Sequence, residues 1–291
     1  MLNNKLRGTG VALVTPFSQN NEIDFEALEN LINFILKGKV DFLVLLGTTS
    51  ESPTLTVEEK KQIVLFVKEK VNNQVPLVVG LSGNDSYELV KTIKSFDLSG
   101  VSAILTASPS YNKPTQEGIY QHYKLIAENS PIPIILYNIP SRTGSTIKSD
   151  TTIRLAKDFK NIIGIKEASG CLERAMIIIK NTDENFSVLS GDDMMALPII
   201  TLGGDGVISV IGNAFPSEYT KMVNLALSGN IEEAREIHYK LFEIMRLLFV
   251  DGNPAGIKSA LSILNICSDS VRLPLIKATE ETHKKLSQHI Y

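Results

Sequence analysis

The chain has 291 residues, with 29 Lys and Arg against 32 Asp and Glu, four His, two Cys and no Trp. A net charge of −3 without runs of one sign offers no basic face to nucleic acid or to an anionic membrane. Cys171 and Cys267 form no Cys-x-x-Cys pair, no window reaches the ~20 consecutive apolar residues of a membrane span, and Met1 to Arg7 lacks the apolar core of a secretory leader. Two lone thiols suit a reducing, cytoplasmic setting.

Along the chain a short apolar run, a polar or Gly-rich stretch and a longer amphipathic segment alternate. The first run is Val11–Val14. After Asp24, apolar residues at Phe25, Leu28, Leu31, Ile32, Ile35 and Leu36 keep helical spacing. The second run, Phe42–Leu46, precedes Thr56-Val57-Glu58-Glu59, which has capping-box spacing ahead of Ile63, Val64 and Val67. Leu77–Val79 is followed by Asp85 with Glu88, a weaker start signal of the same kind. Ala103–Leu105, Ile134–Tyr137, Ile162–Ile165, Ser187–Leu189 and Val207–Val210 complete the runs, and Pro216 suits the first helical position of the segment reaching Leu227.

Runs without polar alternation are strands buried on both faces, and strands alternating with helices make a parallel sheet. Eight such units ending near Gly229 fit a closed (β/α)8, or TIM, barrel, and a doubly wound open sheet is the competing arrangement. Residues 231–291 carry no strand signal. They read as three helices, 231–249, 254–265 and 274–288, with Pro254 and Pro274 marking two starts, so the chain divides into a barrel over 1–229 and a helical extension over 230–291.

In such a barrel the active site lies where the strands end, which makes the residues closing each run informative. Lys166 directly follows Ile162–Ile165 and would enter the barrel mouth. An unperturbed lysine amine is neutral in under roughly one molecule in a thousand at pH 7, so a nucleophilic lysine needs a desolvated site; pairing with a neighbouring carboxylate is the plainer alternative. Tyr137 closes the adjacent run, either as a proton relay or as a core tyrosine. Thr48 and Thr49 offer hydroxyls and amides in a Gly-flanked turn, a cradle for a carboxylate or an ordinary turn. Arg142 suits a second carboxylate, although most loop arginines are solvated surface.

Other chemistry is weaker. His122, His238, His283 and His289 sit in helical segments without metal-ligand spacing and read as surface or capping residues. Asp192-Asp193 reads as a helix N-terminus. Gly203-Gly204-Asp205-Gly206 precedes the last run, whereas barrel phosphate sites use loops that follow strands.

Four motifs, in order, carry a resemblance: Gly47-Thr48-Thr49-x-Glu51-Ser52, Tyr111-Asn112-x-Pro114-Thr115-Gln116-Glu117-Gly118, Tyr137-Asn138-x-Pro140-Ser141-Arg142-Thr143-Gly144 and Gly164-Ile165-Lys166-Glu167-Ala168. The chain resembles the 4-hydroxy-tetrahydrodipicolinate synthase (dihydrodipicolinate synthase) family from about Gly10 to Ser209. The resemblance implies a class I aldolase-type lyase that condenses pyruvate with L-aspartate 4-semialdehyde in diaminopimelate and lysine synthesis. It implies a pyruvate Schiff base on Lys166, proton relay by Tyr137, and Thr48 linking it to Tyr111, which reaches into a neighbouring subunit. Thr49 would hold the pyruvate carboxylate, Arg142 the semialdehyde carboxylate, and the backbone at Gly191 and Ile208 would complete the site. No metal or organic cofactor is implied, and a homo-oligomer is, a dimer or a tetramer of two dimers.

N-acetylneuraminate lyases and 2-keto-3-deoxy sugar acid aldolases share the barrel and the lysine and are the nearest alternatives; a keto-acid-binding barrel without turnover is a remote one. The chain departs from lysine-inhibited members at Pro53, Val57, Lys60 and Ser110, while Asn84 and Glu88 are retained. Feedback by lysine is therefore expected to be weak or absent, which an assay with added lysine reads directly.

Overall fold

The computed structural model describes residues 6–290. Residues 1–5 and Tyr291, and with them most of the stretch read as lacking a leader, lie outside the described residues. Eight parallel strands, β1 (Gly8–Ala12), β2 (Phe42–Leu45), β3 (Leu77–Gly80), β4 (Ala103–Ala107), β5 (Ile134–Asn138), β6 (Ile162–Glu167), β7 (Ser187–Ser190) and β8 (Gly206–Ser209), pair in chain order and close into a barrel. Pairing of β1 with β8, Gly8 against Gly206 through Val11 against Ser209, excludes the open sheet.

The intervening helices are α1 (Phe25–Lys37), α2 (Val57–Val71), α3 (Ser86–Ser95), α4 (Gln116–Asn129), the short α5 (Pro140–Thr143), α6 (Ser149–Asp158), α7 (Leu172–Asn181), α8 (Ala196–Thr201) and α9 (Pro216–Leu227). Their starts follow the expected chemistry. Asp24 accepts from the Ala27 amide at 2.9 Å, Thr56 and Glu59 close a reciprocal capping box, and Asp85 accepts from the amides of Tyr87 and Glu88. The helices bury one stripe each against the outward residues of the strands, while Phe42, Val44, Val78, Ala103, Leu105, Ile135 and Ile208 fill the barrel interior.

Beyond the barrel lie α10 (Ile231–Leu247), α11 (Ala255–Ile263) and α12 (Glu280–Ile290). The last begins six residues after Pro274, not at it. A fixed φ alone supplies no acceptor for the first amides of a helix. Those come at Thr279, whose hydroxyl accepts from the Thr282 amide, while Asp251 accepts from the Thr279 amide at 2.8 Å. The first strand also begins earlier than its apolar run, because small residues at Gly8, Thr9 and Gly10 are buried in pairing and Val14 instead donates to Asn213 Oδ1.

Two readings of polar residues change, that of Asp193 and that of His122 and His238, while Gly203–Gly206 keeps its expected place. Asp193 does not start α8, which has no side-chain cap; its buried carboxylate accepts from the amides of Val210 and Ile211 and ties the end of β7 to the loop after β8. Gly203–Gly206 lies at the entry of β8, the end away from the mouth. His122 and His238 are buried rather than surface residues. Helical position did not reveal that His122 faces inward, where Ser86 Oγ lies 2.7 Å from Nδ1 and Nε2 has no partner.

Burial pushes His122 down from 6.5 to about 4. With the folded value below the unfolded one, the unfolded chain takes up the proton first. This contribution to stability is intact above pH ~6.5 and is lost as pH falls toward ~4, by up to about 3 kcal/mol. His122→Gln is expected to flatten the fall in melting temperature over that window; a fall as steep as that of the unsubstituted protein would contradict it.

Candidate active site

Strand alternation decides what faces the barrel interior. On β5, Ile135 and Tyr137 point inward and Asn138 outward; on β6 the register sets Lys166 beside Tyr137 and Glu167 beside Asn138. Lys166 is 6% exposed, and its Nζ lies 4.4 Å from the centroid of the Tyr137 ring. Glu167, turned away from the mouth, accepts from Asn138 Nδ2 at 2.8 Å and from the Ser169 amide at 2.7 Å. The plainer reading, a lysine paired with a neighbouring carboxylate, therefore fails at Glu167. A buried amine against an aromatic ring, with no carboxylate paired to it among the described residues, suits nucleophilic use.

Gly191, just past β7, is placed by an N–H bond to the Glu167 carbonyl at 2.7 Å. A Cβ there would sit 2.6 Å from Ala168 Cβ and 3.0 Å from Lys166 Cε, so only glycine leaves the lysine its space. Ile208 closes the interior near the end of β8.

The turn after β2 forms the opposite wall. Thr49 is buried, and its hydroxyl accepts from Asn253 Nδ2 at 3.0 Å. Thr48 is half-buried. Glu51 stands in left-handed backbone with φ 56° and sends its side chain into a buried ion pair: Lys258 Nζ donates to Oε1 at 2.6 Å and the Arg272 amide to Oε2 at 2.9 Å. Burial pushes the Lys258 ammonium down, and the Glu51 charge opposes it. Arg142, on α5, is exposed and reaches the Asn253 carbonyl at 3.5 Å.

Lys166, Tyr137 and Gly191 thus lie together, Ile208 faces the same interior, and Thr49 and Arg142 are linked through Asn253. Tyr111 does not join them: its φ is +69° and it is 92% exposed on this single chain. Of the residues retained from lysine-inhibited relatives, Asn84 accepts from Ser110 and Glu88 from Lys91. Sequence reading missed Asn253, Lys258 and Arg272. The only available sign was Asn253-Pro254, read as a helix boundary alone.

Competing chemistry is thin. Burial pushes the Cys267 thiol up to about 12, which removes it as a nucleophile near neutral pH. Among the described residues no group of three or more His, Cys, Asp or Glu converges, and no helix is long and apolar enough to cross a membrane.

The model of the dihydrodipicolinate synthetase family matches residues 5–291. The chain belongs to the dihydrodipicolinate synthetase family. It is 51% identical to the 4-hydroxy-tetrahydrodipicolinate synthase of Phocaeicola vulgatus, over 98% of this chain and 96% of that one. Against the synthase of the same name from Flavobacterium psychrophilum it is 48% identical, over 96% and 95%. The crystal structure of dihydrodipicolinate synthase from Thermotoga maritima superposes with a TM-score of 0.96 at 39% identity, covering 98% of both chains. Membership in the dihydrodipicolinate synthetase family makes the chain a lyase acting on small molecules.

Because the space around Lys166 depends on Gly191, Gly191→Ala is expected to slow the catalysed reaction roughly 10- to 100-fold by displacing the amine. A steady-state rate within about twofold of the unsubstituted protein would contradict that placement.

Proposed function

We propose that the chain condenses pyruvate with L-aspartate 4-semialdehyde, the branch-point step toward diaminopimelate and lysine. The observation that carries this is a buried lysine ammonium against a phenol ring at the barrel mouth, in a chain whose relatives bear the name of that synthase.

In this reading the Lys166 amine adds to the ketone carbon of pyruvate, a C–N bond forms, and the ketone oxygen leaves as water. The protonated imine is the electron sink: loss of a methyl proton gives an enamine whose carbon attacks the aldehyde of the second substrate, and no further cofactor is needed. Tyr137, beside the lysine, carries protons for addition and dehydration. Thr48 connects it to Tyr111, and the exposure of Tyr111 on the single chain fits a side chain that completes the site of a neighbouring subunit. We therefore read the working form as a dimer or a tetramer of two dimers.

Thr49 takes the pyruvate carboxylate, Arg142 that of the semialdehyde, and backbone at Gly191 and Ile208 lines the remaining wall. Residues 1–229 form the catalytic barrel and 230–291 its helical extension. A cytoplasmic setting fits two free thiols.

Arg142 separates this reaction from sugar acid cleavage, because a polyhydroxyl chain gives a guanidinium no carboxylate to hold. Arg142→Ala is expected to raise KM for the semialdehyde roughly 10- to 100-fold, as for loss of a charged hydrogen bond, and KM for pyruvate by less than about twofold. Equal effects on both, or faster turnover of pyruvate with sugar aldehydes than with the semialdehyde, would point to a sugar acid aldolase.

A further inference from the structure

Asn253 belongs to the loop between α10 and α11, more than two hundred residues from the turn it meets. It is 7% exposed. Its side chain donates to Thr49 Oγ1 at 3.0 Å, and its carbonyl lies 3.5 Å from Arg142 Nη2. The two residues assigned to the two substrate carboxylates therefore meet at one asparagine.

A hydroxyl has one proton to give and two lone pairs to receive. Thr49 Oγ1 accepts from Asn253, so its own O–H is left free to donate, and a carboxylate oxygen is the acceptor that suits it. Without the amide, the hydroxyl rotates freely or turns its proton to another acceptor. The other end of the amide also bears on this. Asn253 Oδ1 is buried, and no protein group among the described residues bonds it. Most buried side-chain polar atoms are bonded, so an unpaired amide oxygen is unusual for an asparagine that serves packing alone.

The loop is held from both sides. Lys258, in α11, is locked to Glu51, two residues beyond Thr49, and Thr279 is locked to Asp251, two residues before Asn253. The place of Asn253 relative to Thr49 is thus set by the extension.

We propose that Asn253 is a positioning residue for the keto acid: it orients the Thr49 hydroxyl as a donor to the substrate carboxylate, so that the helical extension supplies part of the substrate site. This rests on the assignment of Thr49 to the pyruvate carboxylate.

The test is steady-state kinetics on the full chain with pyruvate and aspartate semialdehyde, for Asn253→Ala, Asn253→Asp, Thr49→Val and the double variant Thr49→Val with Asn253→Ala. Asn253→Ala is expected to raise KM for pyruvate roughly tenfold, with kcat and KM for the semialdehyde within about twofold. Asn253→Asp, nearly the same shape but only an acceptor when ionised, is expected to raise it further, since it draws the Thr49 proton and sets an anion beside the acid. In the Thr49→Val background, Asn253→Ala is expected to add less than about twofold, because the hydroxyl it orients is gone.

Additive losses in the double variant, or a fall in kcat with pyruvate KM unchanged, would assign Asn253 a structural role and overturn the proposal. If Asn253→Ala does not fold, the nearly isosteric Asn253→Asp alone decides, and an unchanged pyruvate KM there overturns it. An unsubstituted protein that turns over neither substrate would overturn the functional reading, and this inference with it.

Discussion

Among the described residues two lysines are buried, Lys166 and Lys258, and the contrast between them organises the molecule. Lys258 has a carboxylate at 2.6 Å and the Ser270 carbonyl at 2.8 Å, so its charge is compensated and fixed. For Lys166 the described residues supply no carboxylate or carbonyl bond, and its Nζ faces the Tyr137 ring at 4.4 Å. Burial disfavours the charged ammonium of Lys258, and the carboxylate in contact with it offsets that cost; Lys166 has no such partner among the described residues. In the function proposed above, the compensated lysine holds structure and the uncompensated one in the mouth of the barrel carries the chemistry.

The compensated lysine also explains how the chain's last sixty residues relate to the barrel. Glu51 follows Thr48-Thr49-Ser50, and its ion pair to Lys258 anchors that turn to α11. Arg272 extends the anchor, giving its amide to Glu51 and its guanidinium to both oxygens of Glu59 at the start of α2. Both cations lie against the ring of Phe17, Lys258 Nζ at 4.2 Å and the Arg272 guanidinium carbon at 4.4 Å from its centroid. A buried ion pair contributes little net stability, because desolvation offsets most of the attraction, but it is directional. Here direction is what matters, since the wall of the mouth is built from a turn and a loop with no regular structure of their own.

Much of the barrel was legible because its strands are buried on both faces and read as unbroken apolar runs. Lys166 and Tyr137 stood out because each closes such a run, and the register of neighbouring strands brings them together. Asn253, Lys258 and Arg272 were not legible: each meets a partner more than two hundred residues away, and nothing local in the sequence encodes such a contact. His122 shows a second limit, since a helical stripe tells which residues share a face but not that a polar one lies on the buried side. Pro274 shows a third. It restricts the backbone, yet the helix waits for Thr279 to satisfy its amides.

The central claim is that Lys166 is the nucleophile. Reduction of the protein with borohydride in the presence of pyruvate, followed by peptide mapping, tests it most directly. The account predicts a single stable adduct on the peptide that carries Lys166, absent without pyruvate and absent from Lys166→Ala. No adduct, or an adduct on any other lysine, would contradict it.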